Sequence, residues 1–62
     1  MESVVNRKAI VDKIFSEATT LYKNKKVQGI HTDWYDYEKF KKQLHYYGLF
    51  GYEHELADIL EL

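Results

Sequence analysis

Cysteine and proline are both absent from this sequence of 62 residues. Without cysteine the chain forms no disulfide and offers no thiolate ligand for zinc, yet a domain below about 70–80 residues usually needs such an additional source of stability. The three histidines are no substitute, because no two of them have the i, i+4 spacing with which a helix presents two metal ligands. We therefore expect no metal and no cofactor, and we expect contact with another protein molecule to supply the missing stability.

Several other features that indicate a function class are also missing. No run approaches the roughly 20 apolar residues of a membrane span, and the segment from Met1 to Val4 lacks the basic and apolar regions of a signal peptide. Ser3 and Ser16 have no nearby pattern of histidine and acid, and there is no glycine-rich phosphate loop. The sequence therefore predicts a cytoplasmic protein that is not an enzyme and does not contact a membrane.

An excess of positive charge is absent as well, since the net charge is −1. The charges are nevertheless distributed unevenly: residues 1–26 hold six basic and three acidic side chains, whereas residues 46–62 hold four acidic side chains and no Lys or Arg. Nucleic-acid-binding proteins usually have a net basic excess, so this composition disfavours that class. The asymmetry favours head-to-tail contact between the two ends, within one chain or between two chains.

Three glycines divide the chain into three segments with helical periodicity. Apolar residues on one side of the helical wheel predict a first helix near residues 3–25, with Ser3 as its N-cap. A second helix is predicted near 34–47, because Asp33 is a good N-cap and Gly48 favours the left-handed conformation that ends a helix.

A third helix is predicted near 52–61, after the last glycine. The fold class is therefore all-α, a small three-helix bundle with a single helical domain over residues 1–62, in which short links make neighbouring helices roughly antiparallel. We expect Leu49 and Phe50 to fix the second link to the core. The predicted core consists of Val11, Ile14, Phe15, Ala18, Leu21, Trp34, Tyr37, Phe40, Leu44, Leu56 and Leu60.

Aromatic residues are concentrated in the second half of the chain, where eight of the ten fall between Trp34 and Tyr52. They are too many for the core of so small a domain, so some must face solvent or a partner. Four of the predicted partner-binding residues share the outer side of the second helix at i, i+4, i+7 and i+11, and the fifth is the aromatic residue in the second link. They are Tyr35, Lys39, Lys42, Tyr46 and Phe50. Alternatively, the tyrosine rings only cover lysine stems.

Two other kinds of contact remain open from the sequence. Lys23, Lys25 and Lys26, together with the lysines at 39, 41 and 42, interleave with aromatics in the pattern that binds single-stranded nucleic acid, although a solvated helix end and polar face explain the same lysines. A homodimer is also expected, because self-association would bury the aromatic excess.

The segment Leu44-His45-Tyr46-Tyr47-Gly48-Leu49, followed by Leu56-Ala57, is similar to the loop of ubiquitin-associated three-helix domains, in which a hydrophobic-Gly-hydrophobic turn contacts ubiquitin. A plain helix C-cap explains these residues equally well.

The chain as a whole resembles the short accessory proteins of phages and mobile elements of low-GC Gram-positive bacteria, staphylococci in particular. The features that carry this resemblance are the Lys-, Tyr- and Ile-rich composition, the absence of cysteine and the stretch from His31 to Phe40. The resemblance implies a protein that binds one host or element protein and alters its activity. It assigns no functional residue.

Overall fold

The computed structural model describes the backbone of residues 3–62 and the side chains of residues 7–62. Within this part of the chain there are three helices, α1 (Ser3–Val27), α2 (Trp34–Tyr46) and α3 (Glu53–Ile59). The predicted all-α three-helix bundle is thus confirmed. The helix ends differ from the predicted ones by at most two residues, and the predicted N-cap role of Ser3 falls on a side chain outside the described residues.

The start of α2 is fixed by a reciprocal capping box. The Asp33 side chain accepts a hydrogen bond from the backbone N–H of Asp36, and the Asp36 carboxylate accepts one from the backbone N–H of Asp33, at 3.1 Å and 3.2 Å. Two of the N–H groups that a helix start leaves without partners are satisfied in this way. The predicted N-cap at Asp33 is confirmed.

All three helices end in the same type of hydrogen-bonded turn. At the end of α2, Gly48 has a φ of +71°, its N–H donates to the His45 carbonyl, and the Leu49 N–H donates to the Leu44 carbonyl. This pair of bonds is the Schellman motif. The turn formed by Leu44, Gly48 and Leu49 therefore has the geometry of a helix C-cap.

Contacts between the helices define an up-down-up arrangement. Lys25 near the end of α1 contacts Asp36 in the first turn of α2. At the other end of α2, Tyr47 lines the same depression as Ile10 in the first half of α1, so these two helices are antiparallel. The rings of Phe15, midway along α1, and Tyr52, just before α3, lie 6.1 Å apart. The eight buried residues that form the core are Val11, Ile14, Ala18, Phe40, Leu44, Leu49, Leu56 and Leu60.

Seven of the eleven predicted core residues are buried, and three others pack against the core while only partly buried: Phe15, Leu21 and Tyr37. The structure corrects the expectations for Trp34 and for the second link. Trp34 was predicted to be buried but is 60% exposed. It is the first residue of α2, and its ring packs edge-on against Tyr37, with ring centroids 5.1 Å apart. In the second link Leu49 is buried as expected, whereas Phe50 is 67% exposed, so Leu49 alone fixes the link to the core.

Candidate protein-contact surface

Four of the five predicted partner-binding residues share one exposed surface of α2, which we call the α2 outer face: Tyr35, Lys39, Lys42 and Tyr46. The core-facing residues Phe40 and Leu44 hold the opposite side of the helix in the bundle. Tyr35 and Tyr46 are 84% and 82% exposed. They lie eleven residues apart, which on an α-helix corresponds to about 16 Å along the axis.

Ion pairs neutralise the acidic residues next to this face. The Lys25 ammonium lies 2.6 Å from the Asp36 carboxylate, and the Lys41 ammonium lies 3.2 Å from the Glu38 carboxylate. Lys41 therefore contributes less to a basic surface than the sequence suggests. Among the described residues, the ion pairs involve neither Lys39 nor Lys42, so the middle of the α2 outer face carries two positive charges.

The pair formed by Lys25 and Asp36 is the more enclosed of the two. Burial raises the pKa of the Asp36 carboxyl, but hydrogen bonds from Lys25 and from the Asp33 backbone outweigh this effect and leave the pKa below its usual value. The hydrogen bond to Asp36 in turn raises the pKa of the Lys25 ammonium. Both groups are therefore charged across the neutral range.

Phe50 lies beside the α2 outer face rather than on it. Its ring centroid is 4.8 Å from that of His45, which precedes Tyr46 and therefore points about 100° around the helix from it. His45 also contacts α3, because its Nε2 atom lies 2.6 Å from Oε2 of Glu53. The structure thus brings together four of the five predicted residues and places Phe50 on the adjacent side, toward α3.

The two oxygens of the Glu53 carboxylate make separate contacts that fix the link between α2 and α3. One oxygen contacts His45, and the other accepts a hydrogen bond from the backbone N–H of Gly51 at 3.1 Å. The hydrogen bond with His45 is the main reason why the pKa of Glu53 lies below its usual value. Glu53 therefore fixes the backbone from which Phe50 projects.

A shallow depression lies along the N-terminal half of the α2 outer face. It is lined by Tyr35, Asp36, Glu38, Lys39 and Lys42. An apolar side chain from a partner would contact the Tyr35 ring there and would have the two lysines at its edge.

Sequence reasoning did not single out a second group of exposed apolar residues, around the turn between α1 and α2. Val27 is 87% exposed and Ile30 is 49% exposed, on either side of Gly29. The available signal was two large apolar residues next to a helix-ending glycine, outside the apolar side of either helix. A pocket next to this turn is lined in part by Tyr22, Ile30 and Leu60.

The described residues contain no group of three or more His, Asp or Glu side chains that is arranged to hold a metal ion. In the same part of the chain, no helix combines the length and the apolar character needed to cross a membrane. Comparison of the chain with protein-family models, with curated proteins and with solved structures finds no match.

Proposed function

We propose that this chain is a small non-catalytic interaction module that binds a partner protein through the α2 outer face, and that Phe50 in the link between α2 and α3 adds to the contact. The observation that carries the proposal is the near-complete exposure of Tyr35 and Tyr46 on the same side of α2. Tyrosine offers a large, rigid contact area with a hydrogen-bonding tip, and it is enriched among the residues that dominate binding energy.

Neither tyrosine belongs to the core or packs against it, although the Tyr46 ring meets the half-exposed Tyr47 ring edge-on, with ring centroids 5.0 Å apart. The eight core residues are supplied by other positions, so truncating an exposed ring removes little folding energy. The resemblance to phage and mobile-element accessory proteins supports a host or element protein in the cytoplasm as the partner, whose activity the bound module would modulate.

The test separates binding from folding. We expect Tyr35→Ala combined with Tyr46→Ala to leave helicity and melting temperature nearly unchanged. The same variant should lose capture of the partner from an extract of a low-GC Gram-positive host, since truncating a residue at an interface centre costs about 2 kcal/mol or more. Trp34→Ala is the matched control, because it removes an exposed aromatic from a different side of the same helix.

A small nucleic-acid-binding regulator is the second candidate, because two lysines lie between two exposed aromatics on one face. The salt dependence of binding distinguishes the two candidates. Affinity for a nucleic acid falls steeply with ionic strength because it rests on many phosphate contacts, whereas a protein interface that depends mainly on the two tyrosines loses less affinity, even with ion pairs to the two lysines. If Lys39→Glu with Lys42→Glu abolishes a salt-sensitive interaction that Tyr35→Ala with Tyr46→Ala retains, the proposal of a protein partner is wrong.

A further inference from the structure

We infer that the α2 outer face is shaped for an acidic helix of another protein, and that this helix carries two carboxylates between two apolar residues. The spacing of the four residues on the face predicts the pattern of the partner helix. This pattern is an apolar residue, acids four and seven residues later, and a second apolar residue eleven residues after the first. This inference rests on the proposed function and deepens it, since it names the chemistry of the partner at the same surface.

The charge of the face sets the charge of the partner. The neighbouring carboxylates of Asp36 and Glu38 already contact Lys25 and Lys41. In the part of the chain that the structure describes, the ion pairs include neither Lys39 nor Lys42, and the Lys39 ammonium lies 5.5 Å from the centroid of the Phe40 ring. Both positive charges can therefore act on a docked segment. Opposite charges across an interface steer encounter and fix the register, whereas like charges oppose binding. A neutral or basic helix would leave these two lysines opposite apolar or positive groups.

The spacing of the lysines favours a helix over an extended segment. Lys39 and Lys42 are three residues apart, which corresponds to about 4.5 Å along the axis of α2. Two acids three residues apart on a docked helix have the same separation, whereas acids on one side of a strand lie about 6.6 Å apart. The apolar residues at the two ends then lie over Tyr35 and Tyr46.

The spacing is compatible with either chain direction of the docked helix. The intervals along the α2 outer face are four, three and four residues, and this series reads the same in both directions. A helix with the matching series therefore presents its acids to the lysines whether it runs parallel or antiparallel to α2.

A second copy of the chain fits this face poorly. In a two-fold antiparallel contact between two α2 helices, Tyr35 would lie opposite Tyr46 of the second copy, and Lys39 would lie opposite its Lys42. Four ammonium groups would then meet at the centre of the interface. Helix α3 is acidic on its exposed side, but its seven residues span only about 10 Å, less than the roughly 16 Å of the α2 outer face.

Nucleic acid also fits less well than an acidic helix. Strong binding to phosphates needs many neutralised charges, and this face offers only Lys39 and Lys42. The exposed acids of α3, including Glu55 and Asp58, belong to a segment without Lys or Arg and repel a polyanion. Two carboxylates on a helix require only the two charges that the face provides.

The experiment selects partners from a displayed library of helix-forming peptides of roughly 16 residues, randomised on one side, against the purified full chain. We expect the enriched peptides to carry the apolar-acid-acid-apolar spacing. The best peptide should bind the Lys39→Glu, Lys42→Glu variant at least about tenfold more weakly, and it should bind Lys39→Arg with Lys42→Arg nearly as well as the original. Replacing the two acids of the peptide by lysine should restore binding to the glutamate variant.

The possible outcomes separate this inference from the proposed function. Enrichment of purely apolar peptides that depend on Tyr35 and Tyr46 would overturn the acidic helix and leave the proposed function intact. Peptides unaffected by Tyr35→Ala with Tyr46→Ala would overturn both. A single-stranded oligonucleotide that binds more tightly than every peptide would overturn both and would favour a nucleic-acid-binding regulator. A dimer of the original chain in sedimentation that dissociates in the tyrosine variant would assign the face to a second copy instead.

Discussion

The two links between helices are stabilised by the same kind of carboxylate contact, made by different side chains. In each link a carboxylate in the first turn of the following helix contacts the preceding helix and also accepts a backbone N–H from the link. Asp36 reaches Lys25 in the first case and Glu53 reaches His45 in the second, with nitrogen–oxygen distances of 2.6 Å in both. The difference is exposure: the Asp36 side chain is 12% exposed, whereas the Glu53 side chain is 32% exposed.

The same hydrogen-bond pattern therefore need not have the same effect on stability. Solvent screens an exposed pair and reduces its contribution to folding, and a partly enclosed pair is screened less. Asp36 also completes the capping box of α2, whereas Tyr52, the N-cap of α3, makes no side-chain hydrogen bond to the helix. We therefore expect the link between α1 and α2 to be the more stable of the two.

The largest effect should come from the core that lies between the two links. Phe40 lies in the core between them and is only 3% exposed, so Phe40→Ala removes packing that holds α2 against the other helices. The expected loss is about 3–5 kcal/mol, enough to unfold most of so small a domain. Circular dichroism during thermal melting measures this loss. A variant that melts like the original chain would show that the core is centred elsewhere.

The next effect compares the two carboxylates directly. Asp36→Ala should reduce the free energy of unfolding by about 1–2 kcal/mol, because it removes a helix cap as well as the contact with Lys25. Glu53→Ala should lower the melting temperature by a smaller amount. Glu38→Ala is the control, since its pair with Lys41 is exposed. If Glu53→Ala costs more than Asp36→Ala, the comparison of the two links is reversed.

The pH dependence of stability also distinguishes the two links. The pKa values of Asp36 and Glu53 are both lowered, so each stabilises the fold above the usual carboxyl range and loses this contribution as the pH falls through its lowered pKa. The pKa of Lys25 is raised, so its contribution is complete below the usual lysine range and is lost as the pH rises through the raised value.

Melting curves of single variants measure these contributions separately. Asp36→Asn and Glu53→Gln should each make the acid side of the stability profile less steep. Lys25→Met should make the alkaline side less steep, and Lys8→Met is the control, because Lys8 belongs to an exposed pair with Asp12. An alkaline profile that Lys25→Met leaves unaltered would mean that the first link has no share in alkaline unfolding.

The smallest expected effect concerns the end of α3, which differs from the helix ends that begin the two links. Glycine occupies the left-handed position after α1 and after α2, but Glu61 occupies it after α3, with a φ of +57°. A side chain in this conformation costs roughly 1–2 kcal/mol, but glycine also gives the unfolded chain more conformational freedom, which offsets much of the gain. Glu61→Gly should therefore raise the melting temperature, while Gly48→Ala should lower it. A Glu61→Gly variant that melts below the original would contradict this account.

The sequence was sufficient for the features of the fold that depend on local chemistry. Asp33 and Gly48 mark the start and end of α2 because caps and left-handed turns are determined by the residue itself. The exposure of Trp34 was not predictable from the helical wheel, because the wheel assigns a direction to a side chain but does not show whether a neighbouring helix extends that far. The contact between His45 and Glu53 depends on the path of the link, which periodicity does not describe.

On the candidate surface, too, helix periodicity predicted the positions within α2 but not the position of a residue in a link. Tyr35, Lys39, Lys42 and Tyr46 were predicted to share a face because their spacing follows directly from helix geometry. Phe50 lies in a link, where no period relates it to α2, and its position against His45 required the structure. That these residues bind a partner stays a prediction.

The double role of Asp36 has a consequence for the order of folding. Its Oδ2 atom accepts hydrogen bonds from both the Asp33 backbone and the Lys25 ammonium, so the start of α2 and its docking on α1 reinforce each other. Residues 25 and 36 are close in the chain, and loops of about ten residues close within roughly 10–100 ns. The contact from Thr32 to Leu60 spans a much longer segment. We expect the hairpin of α1 and α2 to form in the transition state and α3 to dock afterwards, so that substitutions at Asp36 slow folding and substitutions at Leu60 mainly accelerate unfolding.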